Sequence, residues 1–277
     1  DDNAADAASV AALAGEAVVV ADDAGRVEPL LVAEEDIEAL VPDPAEPLPS
    51  GKTPQSAVAR TAIRFRSAGI DLVLGPLADL GSPAPDAPDG YGDDPAEVAK
   101  ATSAAVRDWL AGGVAPAPRH FPGQGAASQD PLDGPTGVGL QREALEERDL
   151  VPFRELARTA PAFVVSNAAY AAFDGVTPAS LEPGIVRDLL RREIGFPGVA
   201  ISSDLAGAAA ATGGTVGGAA VAALRAGIDL LAVHDPAEVP DAYRTVLDAV
   251  RAGKVPRARV TEALHRVLTL KERAGGS

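Results

Sequence analysis

A short polar run near the middle of the chain holds two side chains that can bind a polar ligand. Residues 119–125 read Arg-His-Phe-Pro-Gly-Gln-Gly and follow an apolar segment. Arg119 and His120 supply a cation and hydrogen-bond donors. Two glycines and a proline favour an irregular loop, and loops of this kind often carry function. The residue types alone leave two interpretations of equal weight, a ligand-binding loop or a Gly/Pro turn with a surface histidine.

The chain is long enough for one α/β domain. It has 277 residues, and 47% of them are apolar, which is enough for a single core. Apolar runs typical of strands alternate with amphipathic runs typical of helices, and this pattern predicts a mostly parallel sheet. We therefore expect an α/β fold, a TIM-type (β/α)8 barrel over residues 15–277, after a flexible tether at residues 1–14. The predicted strands are 15–21, 29–33, 70–77, 114–120, 162–166, 199–202 and 228–233, and the predicted helices are 53–68, 95–110, 142–160, 183–194, 217–226, 239–252 and 260–271.

Two places conflict with a regular barrel. The segment between the first two predicted strands is too short for a covering helix, so we expect the barrel to be trimmed or irregular at its N-terminal edge. Pro116 and Pro118 lie inside the predicted strand 114–120 and cannot donate ladder hydrogen bonds. That strand must therefore be irregular, or must turn both prolines away from its neighbour.

Charge and composition narrow the possible partners. The net charge of −16 and the pI near 4.5 argue against nucleic acid and anionic membranes. The absence of cysteine excludes a disulfide, a zinc–thiolate site and a cysteine nucleophile. We expect no metal and no cofactor. The chain has no apolar run long enough to span a membrane, and the small polar residues at 1–9 favour an exported protein of the cell envelope, such as a trimmed lipoprotein.

The run at 119–125 resembles the Lys-His-Phe-Pro-Gly-His-Gly signature of family 3 glycoside hydrolases, specifically the bacterial β-N-acetylhexosaminidase branch. Residues 69–80, 147–156 and 198–205 are similar to other motifs of that family and occur in the same order. The resemblance covers roughly residues 29–275. It implies a barrel and a carbohydrate ligand, either an amino sugar or a peptidoglycan fragment.

The resemblance also implies roles in substrate binding. Arg119 and His120 stand where the family has its sugar-binding Lys-His pair. Asp79 matches an aspartate near the pocket, and Asn167 stands where the family has a histidine after a strand. Glu34 begins an acidic run at a place where the family lines its sugar pocket.

The residues that carry the family's chemistry have changed. A retaining glycosidase needs a carboxylate nucleophile and a general acid/base. Alignment with the family's Gly-Val-x-x-(Ser/Thr)-Asp-x-Leu motif puts Ser203 at the nucleophile position and Asp204 one residue later. A shift of one residue in a strand turns a side chain to the other face, so Asp204 is a substitute only if a bulge re-aims it. The family's Asp-Ser-His element becomes Asp130-Pro131-Leu132, which lacks the acid/base histidine.

Three hypotheses follow from these departures. The first is a degenerate glycosidase-like protein that binds an amino sugar, a cell-wall glycan or an envelope protein without hydrolysis. The second is an active retaining β-N-acetylhexosaminidase with Asp204 as nucleophile and Asp130 as an unconventional acid. The third is a purely structural or interaction barrel. Sugar binding separates the first from the third, and turnover that is lost in Asp204→Ala supports the second.

Overall fold

The computed structural model describes residues 56–67, 69–81, 91–129, 131 and 134–274 with their side chains, and the backbone of two strands at residues 16–21 and 27–34. The predicted tether at residues 1–14, the predicted start of a helix at residue 53, Asp130 and Leu132 lie outside these residues.

The chain begins its described part with a hairpin. Strand β1 (Glu16–Ala21) pairs antiparallel with β2 (Val27–Glu34), so that Glu16 lies opposite Val32. A parallel crossover needs about a dozen residues or more, and the five residues between these strands are too few. Both strands were expected, and their antiparallel pairing makes this edge irregular for a barrel, as predicted.

A run of parallel neighbours follows the hairpin. Strand β2 pairs with β3 (Leu72–Leu74), and β3 pairs with β4 (Ala115–Pro116). Strand β6 (Ala162–Val165) pairs with β8 (Val199–Ser202). Single parallel bridges, from Phe121 to Val165 and from Ile201 to Leu230, extend the run. A small parallel pair, β5 (Gly137–Val138) and β7 (Ala169–Tyr170), lies apart from it.

The predicted α/β fold is confirmed. Within the described ranges the ladders form three separate sheets, and no ladder closes them into a barrel. The predicted strand 228–233 is wrong, because only Leu230 makes a bridge there. The N–H groups of Asp229 and Leu230 both donate to the carbonyl of Ala200, which breaks the alternation that a ladder requires.

The conflict at Pro116 and Pro118 is resolved by an irregular strand. The N–H groups of Ala115, Ala117 and Arg119 donate to carbonyls on the β3 side. The prolines therefore alternate to the opposite side, towards β6, where the carbonyl of Pro118 still accepts from Val164 N–H. The ladder on that side loses the donors that proline lacks, and β4 is only two residues long as a result.

The helices largely follow the amphipathic pattern. Asp94 caps the helix after it through hydrogen bonds from the N–H groups of Ala96 and Glu97, both 2.9 Å, as aspartate does at helix starts. The predicted helix 142–160 is two helices, which break at Arg148 and Asp149. The helices are α1 (Ala57–Ser67), α2 (Pro95–Ala111), α3 (Arg142–Glu147), α4 (Leu150–Leu156), α5 (Gly184–Glu193, with π-type hydrogen bonds), α6 (Leu205–Thr212), α7 (Val216–Ala226), α8 (Val239–Arg251) and α9 (Arg257–Ala274).

Helix α6 was not predicted. Its sequence, Leu-Ala-Gly-Ala-Ala-Ala-Ala-Thr, is apolar all round and so gives no amphipathic period. Among the described helices, none is by itself both long and apolar enough to cross a bilayer. Helices α6 and α7 meet those limits only when taken together, and the chain bends by 100° between them.

An aromatic cluster lies in the core beneath residues 119–125, which we call the central loop. Phe163 of β6 stacks on Phe196 with ring centroids 4.2 Å apart. Phe153 of α4 meets the rings of Phe121 and Phe163 edge-on at 5.5 and 5.4 Å. All four rings are fully or almost fully buried. Because Phe121 belongs to the 119–125 run, this packing fixes the loop onto the sheet.

A buried ion cluster ties the last helix to the sheet. The carboxylate of Asp229 is fully buried and forms ion pairs with Arg191 of α5 and with Arg259 and Arg266 of α9. It also accepts a hydrogen bond from the N–H of Ala200 at 3.0 Å. Three guanidinium groups thus share one carboxylate, which neutralises them only in part.

We expect Asp229→Asn to destabilise the fold strongly. Removing one member of a buried ionic cluster leaves uncompensated charge and typically costs about 3–5 kcal/mol. Denaturant unfolding of wild type and variant measures this loss. Asp248→Asn is the control, because Asp248 forms an exposed pair with Arg251 at 3.8 Å, and such pairs contribute about 0–1 kcal/mol. Equal losses in the two variants would contradict the role of the cluster.

Candidate active site

The carboxyl ends of four parallel strands bring the predicted site residues to one edge of the sheet. Asp79 follows β3, Arg119 and His120 follow β4, and other candidates follow β6 and β8. This is the edge where α/β barrels place their active sites. We call the polar residues at this edge the strand-end cluster. Its members are the predicted Asp79, Arg119, His120, Asn167, Ser203 and Asp204, together with Gln124 and Ser166, which were not predicted.

Asp79 holds the central loop by three hydrogen bonds. Its Oδ1 accepts from the N–H groups of His120 at 3.1 Å and Gln124 at 2.7 Å. Its Oδ2 lies 2.8 Å from Nδ1 of His120. Only 8% of Asp79 is exposed. When Nδ1–H donates to this carboxylate, the neutral ring keeps Nε2 as its acceptor, and the side chain of His120 remains partly exposed.

Arg119 is built into the sheet by its backbone. It bridges to Leu77, and its carbonyl accepts a 2.6 Å hydrogen bond from the N–H of Ala78. The residue is buried. The peptide bond from Arg119 to His120 is cis, as is the bond from Phe121 to Pro122. The loop therefore leaves the strand with an irregular backbone, as its glycines and proline predict.

The two loop glycines are required by close packing. Gly123 has φ +116°, and a Cβ there would lie 2.4 Å from the Cβ of Asp149. A Cβ on Gly125 would lie only 1.4 Å from the carbonyl oxygen of Leu80. No side chain fits at either position. The loop backbone therefore lies directly against the chain that follows β3 and against the start of α4.

A chain of hydrogen bonds continues from the loop to β6 and β8. Gln124 Oε1 accepts from the hydroxyl of Ser166 at 2.7 Å. The next residue, Asn167, donates from Nδ2 to the backbone carbonyl of Asp204 at 2.6 Å and accepts from the Ser180 hydroxyl at 2.7 Å. The Asn167 amide is thus bonded within the protein through both its oxygen and its nitrogen. This arrangement fits a positioning role better than the predicted contact with substrate.

Ser203 makes local backbone hydrogen bonds. Its Oγ donates to the carbonyl of Val165 at 2.9 Å, and its N–H reaches the same oxygen at 3.0 Å. A serine hydroxyl becomes a strong nucleophile only when a general base accepts its proton. A backbone carbonyl cannot take that proton, so this geometry leaves Ser203 unactivated.

Asp204 caps helix α6. Its Oδ1 accepts from the N–H groups of Ala206 at 3.3 Å and His234 at 3.1 Å. It thereby joins the end of β8 to the segment after Leu230. The residue is only partly buried.

Two predicted site residues cannot be placed by their side chains. Glu34 is the last residue of β2, of which only the backbone is described, and Asp130 lies outside the described residues. Its neighbour Pro131 is described, and the Pro131 carbonyl oxygen lies 3.9 Å from a Cβ built on Gly207 of α6. The loop therefore passes close to the helix that Asp204 caps. In the described part of the chain, no group of three or more His, Asp or Glu side chains is arranged to hold a metal.

Asp149 is a buried carboxyl group next to the loop. The residue is 1% exposed, and neither carboxyl oxygen has a hydrogen-bond partner among the described residues. Burial raises the pKa of Asp149 to about 6, the charge of Asp79 adds to this rise, and Arg148 opposes it. Two aspartates therefore lie next to the loop. Asp79 accepts hydrogen bonds from two backbone N–H groups, whereas the Asp149 carboxyl group accepts none from the described residues.

Sequence reasoning missed three residues of this site. Gln124, Ser166 and Tyr170 received no role, yet Gln124 and Ser166 join the loop to β6. The fully buried Tyr170 donates its hydroxyl to the carbonyl of Gly123 at 3.0 Å, and burial holds its pKa well above the usual value. Gln124 and Ser166 stand inside or beside recognised motifs, and this position is the signal that could have identified them. Tyr170 has no such signal.

Comparison with known proteins identifies the family. The Glycosyl hydrolase family 3 N terminal domain matches residues 52–270, which is most of the chain. The chain belongs to glycosyl hydrolase family 3, and it is a β-N-acetylhexosaminidase-like member of it.

Three bacterial proteins illustrate the similarity. The chain is 34% identical over 190 residues to the beta-hexosaminidase of Stenotrophomonas maltophilia (strain R551-3), which covers 67% of this chain and 56% of the relative. It is 33% identical over 225 residues to beta-hexosaminidase LpqI of Mycobacterium tuberculosis, covering 75% of this chain and 56% of that protein. The solved family 3 β-N-acetylglucosaminidase of Paenibacillus sp. superposes with a TM-score of 0.73 at 30% identity, covering 79% of this chain and 43% of that one. The chain thus spans about half the length of the curated relatives.

We expect Asp149→Asn to remove part of the pH dependence of stability. Because the folded-state pKa of Asp149, about 6, lies above its ordinary value of 3.8, the folded protein binds the proton more tightly than the unfolded chain. The free energy of unfolding therefore falls as pH rises from about 4 to about 6, by at most roughly 3 kcal/mol from this group.

Chemical denaturation at several pH values between 4 and 8 tests this expectation. The difference in unfolding free energy between wild type and Asp149→Asn should change across pH 4–6 and stay constant above pH 7. Glu155→Gln, at an exposed position on the same helix α4, is the matched control and should follow wild type. Parallel pH profiles for wild type and Asp149→Asn would show that the carboxyl group is not perturbed.

Proposed function

We propose that this protein binds a glycan containing N-acetylhexosamine, such as a cell-wall fragment, at the strand-end cluster and does not hydrolyse it. Its family and its relatives, which are named beta-hexosaminidase and β-N-acetylglucosaminidase, support the ligand class. The side chains that would hold the sugar are present. The side chains that would break its glycosidic bond have been replaced.

The observation that carries this proposal is the environment of Ser203. The nucleophile position of the resembled motif holds a hydroxyl that donates to the Val165 carbonyl at 2.9 Å. No base accepts its proton, so covalent catalysis by Ser203 has no route. Asp204, the nearest carboxylate in sequence, has its Oδ1 engaged by two backbone N–H groups, which favours a structural role at the start of α6.

The general acid is also replaced. Leu132 stands where the family's acid/base histidine is expected, and leucine carries no transferable proton. General acid–base catalysis is typically worth about 10²–10⁴ in rate. Losing it together with the nucleophile removes both steps of a retaining mechanism.

The side chains at the predicted sugar-binding positions support ligand recognition. His120 is oriented by Asp79 and is partly exposed, and Arg119 stands in the place of the family's lysine. A guanidinium donates through a planar fork, whereas an ammonium is a compact charge. The sugar contacts at this position therefore differ in geometry from those of a lysine. An envelope protein is the alternative partner, and export to the cell envelope remains a prediction.

Hydrolysis of 4-nitrophenyl N-acetyl-β-D-glucosaminide by wild type and Asp204→Ala tests the loss of chemistry. An aryl leaving group departs with little protonation, so the assay detects a surviving nucleophile even when the acid is missing. We expect no turnover above background for either protein. Wild-type turnover that disappears in Asp204→Ala would instead establish Asp204 as nucleophile and the protein as an active hexosaminidase.

Calorimetric titration with N-acetylglucosamine oligomers tests the binding. We expect saturable binding by wild type and at least about tenfold weaker binding by Asp79→Asn. The amide oxygen can still accept from the N–H groups of His120 and Gln124, but the NH2 group then faces Nδ1 of His120 as a donor and no longer holds the ring through an Nδ1–H hydrogen bond. A tenfold loss corresponds to about 1.4 kcal/mol. Asp71→Asn, at the opposite end of the same strand and paired with Arg66, is the matched control. Binding that is absent in wild type would favour a protein partner.

A further inference from the structure

A cavity lies away from the strand-end cluster. It has a volume of about 750 Å³ and is bounded by α5, the end of α7, the turn at Lys254–Pro256 and α9. Arg191, which lines it, donates to the carbonyls of Phe196 and Gly198 at 2.7 Å each, just before β8 begins. Ser203 lies just after β8 ends. The cavity therefore opens at the amino end of the strands, on the side opposite the proposed sugar site.

The lining of this cavity is strongly basic although the protein is acidic. The whole chain carries a net charge of −16. Among the described residues, the cavity lining nevertheless contains seven basic residues against a single acidic one, Glu262. We call this cavity the basic pocket; its charged lining residues are Arg187, Arg191, Arg192, Arg225, Lys254, Arg259, Glu262 and Arg266.

The nearby carboxylates only partly offset this charge. Asp229 lies behind the pocket and is shared by Arg191, Arg259 and Arg266. Glu262 pairs with Arg259 and Arg266, and Asp188 pairs with Arg187 and Arg192 from the exposed face of α5. The lining and its partners thus hold seven positive and three negative charges.

Two of the cations contribute charge without any pairing. Arg225 and Lys254 are exposed, and their side chains form no hydrogen bond or ion pair with any described residue. They stand at the rim of the same pocket, so they remain available to a ligand. Excess positive charge around a concave site attracts anions from solution.

Arg191 is a deeply placed arginine of the ion cluster behind the pocket. Its Nε is buried and has no hydrogen-bond partner among the described residues. Burial lowers the pKa of Arg191 to about 10, and neighbouring Arg266 and Arg259 lower it further while Asp229 opposes the shift. The guanidinium is still charged at neutral pH, and an added anion would relieve the repulsion among these cations.

We infer that the basic pocket binds a ligand that carries a phosphate group. Arginine forks match the oxygens of phosphate in charge and geometry, and several of them converge here with a lysine. A cavity of about 750 Å³ is within the range of small-molecule sites and exceeds the size of a single phosphate. It has room for the organic group of a sugar phosphate.

Calorimetric titration of the full chain at low ionic strength tests this inference. The probes are inorganic phosphate, inorganic pyrophosphate, glucose 6-phosphate and, as the uncharged control, glucose. We expect saturable binding of phosphate-bearing probes, no binding of glucose, and weaker binding as salt increases. Tighter binding of glucose 6-phosphate than of inorganic phosphate assigns an organic ligand, and the reverse order assigns an inorganic one.

Variants at the rim localise the site without disturbing the buried ion cluster. The double variant Arg225→Gln, Lys254→Gln should bind the best probe at least about tenfold more weakly, which is about 1.4 kcal/mol. Arg257→Gln, an exposed arginine at the start of α9 that does not line the pocket, should bind like wild type. The double variant should also keep any binding of N-acetylglucosamine oligomers. A failure of the phosphate-binding proposal is therefore distinguishable from a failure of the sugar-binding proposal.

Two results would overturn the inference. One is the absence of saturable binding for every phosphate-bearing probe at low salt. The other is an equal loss of affinity in the double variant and in Arg257→Gln, which would reduce the effect to the overall charge of the surface.

Discussion

The loop at the centre of this molecule depends on one buried carboxylate. Asp79 accepts two backbone N–H groups and holds the ring of His120. A buried carboxylate is stabilised only when donors replace the water it has lost. The loop therefore keeps its shape by presenting these donors to Asp79. Phe121 adds apolar packing below, and Gly125 allows the contact with Leu80 beside it.

The opposite half of the same edge is organised differently. At the ends of β6 and β8 the polar side chains bind backbone atoms of the protein: Ser203 binds Val165, Asn167 binds the carbonyl of Asp204, and Asp204 caps α6. Hydrogen bonds of this kind stabilise the fold and fix the neighbouring strands. A catalytic group instead has to be held with a reactive atom free for substrate. The site thus combines an oriented, partly exposed histidine on one side with inward-bonded polar groups on the other.

Much of this arrangement could be predicted from the sequence. Hydrophobic periodicity indicates most of the strands and helices, and the family's motifs occur in the same order along this chain. The positions of Asp79, Arg119 and His120 at strand ends were predicted in this way. The break at Arg148 and Asp149 was missed, although Pro152 is a local signal for it. Proline lacks the N–H that a continuous helix would pair with the carbonyl of Arg148, and the structure has two helices there. The sequence of helix α6 has no amphipathic periodicity from which a helix could be predicted. The predicted strand 228–233 contains Asp229, whose ionic partners are 30 or more residues away in sequence, so local sequence does not reveal the irregular backbone there.

The amide of Asn167 has a consequence for the engineering of this site. It holds Ser180 with its oxygen and the Asp204 carbonyl with its nitrogen, and a Cβ on the adjacent Gly207 would lie 3.3 Å from that nitrogen. A histidine placed there has a larger ring and different donor geometry, so both bonds would be lost and α6 displaced. A substitution at position 167 therefore also acts on Ser180 and on the start of α6. Redesign of this edge has to treat residue 167, Ser180 and α6 as one unit.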